Sequence, residues 1–265
     1  MSASPEPILL RSDDGPIATL VLNAPGSLNA LSTPMLMALG AAFETLSKDP
    51  AIRVVILRGA GRVFSAGHDL KEMQAARAAP DQGAAAFATL FQLCARVMTR
   101  IPTLPQTVIA QVHGLAAAAG CQLAASCDMV TAAEDARFGV NGVNIGLFCS
   151  TPMVALTRKI PPAVAFEMLT TGEFITAPRA REVGLVNRIA ALDALDQTTQ
   201  TLARTVADKL GAAVKIGKSG YYDQIGLPLD QAYAAAGANM VENMLWRDTA
   251  EGIQAFLEKR KPDWS

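Results

Sequence analysis

Two stretches, FSAGHDLKEM at residues 64–73 and HGLAAAAGCQLAASCDM at residues 113–129, decide how this chain is read. Each places a run of small residues directly ahead of a helix-forming segment. Small residues let the backbone turn tightly, and the first N–H groups of a helix have no acceptor inside it, so such a turn aims free donors at an anion or a polarised carbonyl. One such turn is ordinary at a strand-to-helix connection. Two of them can converge on a single oxygen and form an oxyanion hole.

The segments around these turns alternate between strand and helix. Apolar runs at 8–10 and 17–22 flank Asp13-Asp14-Gly15-Pro16, a composition that favours a hairpin. Residues 34–46 carry Met35, Leu36, Leu39, Ala42, Phe43 and Leu46 at helical spacing, with Ser32 or Thr33 as cap. Strand 54–57, helix 84–99, strand 107–112, helix 118–125 and strand 129–131 follow, the pattern of an α/β fold. Beyond Pro161 helices take over, at 163–169, 178–183, 192–210, 229–246 and 249–259, with no Pro/Ser-rich linker before them. Residues 78–86, containing Pro80-Asp81-Gln82-Gly83, read as a mobile rim of a pocket.

With 51% hydrophobic and 18% charged residues, the 265-residue chain buries a sizeable core and is not disordered. A net charge of −1 without a Lys/Arg block argues against nucleic acid as a partner. Residues 1–10 lack a basic leader and no uninterrupted apolar span reaches membrane length, so a cytoplasmic protein away from membranes is the expectation. Cys94, Cys121, Cys127 and Cys149 form no CxxC pair and flank no histidine, which points to reduced, buried thiols and no metal site.

The chain resembles the crotonase (enoyl-CoA hydratase/isomerase) superfamily. The resemblance is carried by both turns and, in order, by LNAPGSLNALS, VVILRGAGRVFSAGHDL, ARFGVNGVNIGLF, TGEFITAPRAREVGLVNRI and EGIQAFLEKRKPDW. It implies a crotonase-like spiral of ββα units over residues 1–195 and a C-terminal helical trimerisation region over 196–265. It further implies an acyl-CoA thioester as substrate, with no separate cofactor, and a homotrimer or dimer of trimers.

The same resemblance places the oxyanion donors on the backbone N–H groups of Ala66 and Ala119. It puts the CoA nucleotide against the backbone of Ala66, His68 and Asp69, with Met240 where an aromatic often covers it and Lys259 reaching a neighbouring subunit's nucleotide. His68 follows the first turn and titrates near neutrality, which makes it a candidate replacement base; the resemblance instead places it at the nucleotide end, and a surface role is expected ahead of the catalytic one. Where family hydratases carry two glutamates, this chain has Gln122 and Gly142. Hydration needs groups that exchange a proton near neutrality, and neither residue does. Gln122 is therefore expected to orient a water or a carbonyl, with Asn141, Asn144 and Ser150 as further polar pocket residues and Met73, Leu147, Phe148 and Met153 as apolar walls. GVNIGLFCSTP most resembles a hydratase-like subgroup that also departs from the two-glutamate pattern. Two functions follow: an acyl-CoA enzyme of lyase or isomerase class that stabilises an enolate, or a protein that binds acyl-CoA without turning it over.

His113 reads as a packed, hydrogen-bonded histidine, Cys149 as a buried small hydrophobe, Glu72 as part of a solvated helix face and Asp128 as the anchor of a strand start.

Overall fold

The structure is a computed structural model that describes residues 6–264. Residues 1–5 of the N-terminal stretch expected to lack a leader lie outside the described residues. The chain forms two compact units, one ending at Arg204 and one beginning at Thr205.

In the first unit the strands are β1 (Leu9–Asp14), β2 (Ile17–Leu22), β3 (Val54–Gly59), β4 (Thr107–Val112), β5 (Leu115–Ala117), β6 (Met129–Ala133), β7 (Arg137–Gly139), β8 (Phe174–Thr176) and β9 (Arg188–Ala190). They make a six-stranded sheet in the order β1-β2-β3-β4-β6-β9, parallel except for the β1–β2 hairpin, and a three-stranded sheet in the order β5-β7-β8. Every residue of β4 is buried, which is how a parallel strand covered on both faces reads. The second sheet brings the 115–117 segment beside 137–139, in parallel, and its strands of three residues are too short to show a period in sequence.

The helices of this unit are α1 (Thr33–Ser47), α2 (Leu70–Ala76), α3 (Ala84–Thr103), α4 (Ala119–Ser126), α5 (Ser150–Leu156), α6 (Pro162–Thr171), α7 (Ala177–Glu182) and α8 (Leu195–Ala207). Ser32 caps α1 through a bond from the Met35 N–H, and Met35, Leu36, Leu39, Phe43 and Leu46 are the face it buries. Asp128 accepts from the Val108 N–H at 2.6 Å and returns its own N–H to the Val108 carbonyl at 3.0 Å, tying the start of β6 to β4.

The expected boundary at 195/196 falls at the start of α8 instead of between units. Leu195, Leu202 and Ala203 of that helix are buried, and the buried Thr199 hydroxyl meets that of Thr131 on β6 at 2.7 Å. These contacts hold α8 to the sheet. The second unit comprises α9 (Gly211–Gln224), α10 (Leu229–Met244) and α11 (Arg247–Leu257). Among the described residues, no helix is long and apolar enough to cross a membrane, and no group of His, Cys, Asp and Glu is arranged to hold a metal ion.

Candidate active site

The loop before α1 is fixed by Asn29, which is wholly buried at φ +52. Its Nδ2 donates to the carbonyls of Ala60 and Val63, each at 2.8 Å, and its Oδ1 accepts from the Ala24 N–H at 3.0 Å. The first small-residue turn hangs from this loop. Ser65 Oγ donates to the Asn29 carbonyl at 2.8 Å, and the Ala66 N–H donates to the Leu28 carbonyl at 3.0 Å. Leu31 then grips the turn twice: its N–H donates to the Gly67 carbonyl at 2.7 Å, and its carbonyl takes a bond from His68 Nδ1 at 3.0 Å.

The second turn docks on the first. Ser65 and Ala116 pair as an isolated parallel bridge, the Ala117 N–H donates to the Ser65 carbonyl at 2.9 Å, and the Ala118 N–H donates to the Gly139 carbonyl at 2.8 Å. A side chain on Gly67, at φ +96, would put its Cβ 3.0 Å from the Ala117 carbonyl oxygen and 3.2 Å from the Ala119 nitrogen. On Gly120 it would lie 2.4 Å from the Ser65 carbonyl oxygen. Only glycine permits that approach, so the turns are in van der Waals contact. Ala118 adopts φ +47, ψ −117, a conformation that costs a residue with a Cβ.

This geometry corrects one expected donor. The Ala66 N–H is engaged by Leu28 and is not open to a ligand, whereas the backbone N–H groups of His68 and Ala119 have no acceptor among the described residues. Sequence spacing alone could not separate Ala66 from His68, because the difference is which way the peptide faces after Gly67.

Both free donors border a cavity of about 320 Å³, lined also by Ala66, Leu70 and Met73, Phe91, Asn141, Gly142, Ile145, Leu147, Phe148, Cys149, Ser150 and the start of α5. Of the expected pocket residues, Ala66, His68, Ala119, Asn141 and Ser150 therefore meet there. Asn144 does not; its amide reaches the Gly172 carbonyl at 3.4 Å. Met153 is outside the lining, and so is the expected rim at 78–86, which is tied by Asp81 accepting from the N–H groups of Gly83 and Ala85 at 3.0 and 2.9 Å. Gln122 is buried in α4 behind the lining, with Oε1 lacking any partner.

Among the described residues, no carboxylate lines the cavity. Glu72 binds the Thr33 hydroxyl and, at 2.9 Å, the Thr33 N–H, so it caps α1 instead of lying free on a solvated face. The Asp69 side chain caps α2. Cys149 Sγ accepts from the Gly142 N–H at 3.3 Å, and burial pushes its thiol above the ordinary range, which rules against a ready thiolate. Gly142 has no room for a glutamate: a Cβ there would lie 2.2 Å from the Leu147 carbonyl oxygen and 2.9 Å from Cys149 Sγ.

His68 is not the surface residue the sequence suggested. Its ring packs on Phe91 with centroids 5.6 Å apart, and its Nε2 is buried without a partner. Burial lowers its pKa below the ordinary 6.5, against the raising effects of Leu31 and Glu72, so the ring is held neutral. His113 Nε2 donates to the Gly61 carbonyl at 2.8 Å and stands apart from the cavity. Met240 lies exposed on α10, and Lys259 follows α11 at φ +56.

The family model for enoyl-CoA hydratase/isomerase matches residues 13–265. The human enoyl-CoA hydratase domain-containing protein 3, mitochondrial, is 44% identical over 99% of this chain and 85% of its own length. Among solved structures, an enoyl-CoA hydratase from Mycobacterium smegmatis is 50% identical with a TM-score of 0.94, covering 98% of this chain and 99% of that one. The human domain-containing protein 3 structure is 42% identical with a TM-score of 0.92, covering 97% and 100%. The cytoplasmic expectation is overturned by the relatives: the Xenopus, zebrafish, human, mouse and rat proteins are all named as mitochondrial. With the two docked turns, the ββα core and the helical C-terminal unit in place, these matches establish that the chain belongs to the enoyl-CoA hydratase/isomerase family and has the crotonase fold.

Proposed function

We propose that the cavity binds the thioester end of an acyl-CoA and stabilises its enolate through the N–H groups of His68 and Ala119, as a lyase- or isomerase-class enzyme. The observation that carries this reading is that two backbone donors without internal acceptors sit on adjoining turns at one largely apolar cavity. Preorganised donors of this kind contribute roughly 2.7–4 kcal/mol each when negative charge develops on an oxygen. The Ala66 carbonyl, together with the backbone at His68 and Asp69, is assigned to the adenine end of CoA. Met240 and Lys259 are assigned to a nucleotide in an assembly of three or six chains, supported by the exposed apolar residues Tyr233, Leu245 and Phe256 of the second unit. Gln122 is assigned to holding a water that donates to its buried, unmatched Oε1; with Gln122 outside the lining and an acceptor as the open atom, the expected hold on a substrate carbonyl is dropped.

Ala119→Pro tests the reading. Ala119 is the first residue of α4, where a proline deletes the N–H; because Ala118 at φ +47, ψ −117 lies outside the region a following proline favours, urea unfolding and crotonyl-CoA binding of the variant are measured alongside its rate. Crotonyl-CoA in heavy water, with mass spectrometry of every CoA species, should show hydration or α-exchange in the parent protein and a loss of about 10²–10³-fold in the variant. Equal rates in the two proteins would exclude the Ala119 donor.

The lack of a carboxylate at the cavity favours one alternative, acyl-CoA binding without turnover. It requires thermal stabilisation by crotonyl-CoA with no exchange and no product.

A further inference from the structure

We propose that the His68 imidazole is the catalytic base of this cavity, working through Nε2 to move a proton between C2 and C4 of an unsaturated acyl-CoA and so convert a 3-enoyl thioester into the 2-enoyl isomer. This rests on the acyl-CoA reading above and gives it a reaction.

Three observations carry it. The Leu31 carbonyl, 3.0 Å from Nδ1, can only accept, so Nδ1 bears the proton of the neutral ring and Nε2 bears the lone pair. That lone pair is buried and unmatched, which is rare without a function or a missing partner. And the backbone N–H of this same residue is one of the two free donors, so base and oxyanion donor are separated by no more than one side chain.

The neighbouring groups leave the proton to His68. Glu72 is engaged by Thr33, Cys149 accepts from the Gly142 N–H, and the carboxamide of Gln122 does not titrate. A single base suits a proton shift, which neither consumes nor releases water. Nε2 takes the C2 proton as the C2–H bond breaks, and the electron pair passes to the thioester oxygen between the N–H groups of His68 and Ala119. When the pair returns, C2=C3 forms, the C3=C4 π pair takes the proton at C4, and Nε2 is again free. Nothing is oxidised or reduced. Nε2 is buried, so the side chains over it, among which the Phe91 ring packs edge-on against His68, must give way for the acyl chain to reach it.

The test uses the full chain with trans-3-hexenoyl-CoA in heavy water, following 2-hexenoyl-CoA and deuterium at C2 and C4, with hexanoyl-CoA as an unreactive binding probe. The parent protein should isomerise the substrate. His68→Gln, which keeps the backbone N–H, should be at least about 100-fold slower while binding hexanoyl-CoA as before. His68→Ala should recover turnover when free imidazole is added, a result that a packing defect would not give. Wild-type rates in His68→Gln would overturn the proposal, as would a parent protein that binds hexanoyl-CoA but neither isomerises nor exchanges. Failure of the parent protein to bind hexanoyl-CoA would remove the acyl-CoA reading itself, and the assignment of His68 with it.

Discussion

At Gly142 the backbone excludes the glutamate that family hydratases use. Gly142→Glu should not create hydratase activity and should cost about 1–3 kcal/mol of stability, since its Cβ meets the Leu147 carbonyl oxygen at 2.2 Å. Chemical denaturation and a crotonyl-CoA hydration assay check both halves. Gln122 behaves differently, because only its charge state is at issue. Gln122→Glu places an unpartnered carboxyl in a buried position, where desolvation raises its pKa. The folded state of that variant then holds a proton that the unfolded chain releases, so it should lose stability relative to the parent as pH rises above the ordinary glutamate range. Urea midpoints measured across the acid and neutral range would show a slope of this sign.

For His68 the sign is opposite. Its folded pKa lies below 6.5, so in the window beneath that value the unfolded chain binds more protons, and acidification destabilises the fold. The charged group facing the ring is Glu72 of α2; α3 offers Phe91, and the 141–149 loop offers Cys149. Replacing His68 by Gln should flatten the loss in urea midpoint between about pH 7.5 and about pH 5. The sequence singled out His68, Gln122 and Gly142, and the structure brings His68 and Gly142 to the cavity while leaving Gln122 outside its lining. It could not show that the Ala66 N–H is engaged by Leu28, nor that Asn144 turns to Gly172, because both depend on peptide and side-chain directions that spacing does not encode.

The elements carrying the site are short, and their contact is set by small residues. Ala118 holds φ +47 where a glycine would rest without strain. Ala118→Gly should relieve part of a cost of about 1–3 kcal/mol, offset by about 0.4–1 kcal/mol from the more flexible unfolded chain, for a net gain near 1 kcal/mol by thermal or urea unfolding. Gly120→Ala should do the reverse, since its Cβ would press on the Ser65 carbonyl. Long periodic elements were legible: α1, α3 and β4 match their sequence patterns closely. The three-residue strands of the second sheet were not, and neither was α9, which buries no residue and contains Gly217 and Gly220 among its polar positions.

For the whole molecule, the apolar surface left on α10 and α11 is the dominant feature beyond the cavity. Leu245, Phe256 and Tyr233 are 81%, 82% and 74% exposed, more apolar surface than an isolated unit ordinarily presents to water. Native mass measurement should give three or six times the chain mass of 27.8 kDa, and Phe256→Asp combined with Leu245→Asp should shift the population toward single chains. The alternation of strand and helix in the first unit was readable from the sequence, but the point where α8 parts from the sheet depends on the Thr131–Thr199 bond, which joins residues far apart in the chain.

One difference between neighbouring peptides reaches beyond chemistry. The Ala66 amide is locked to Leu28, while those of His68 and Ala119 have no internal partner. In heavy water the last two should therefore trade their hydrogens early and the first late, so an occupied cavity would announce itself as a sudden slowing at two amides that leaves their bonded neighbour unchanged. The protein thus carries a built-in reporter of ligand occupancy that can be read without a label.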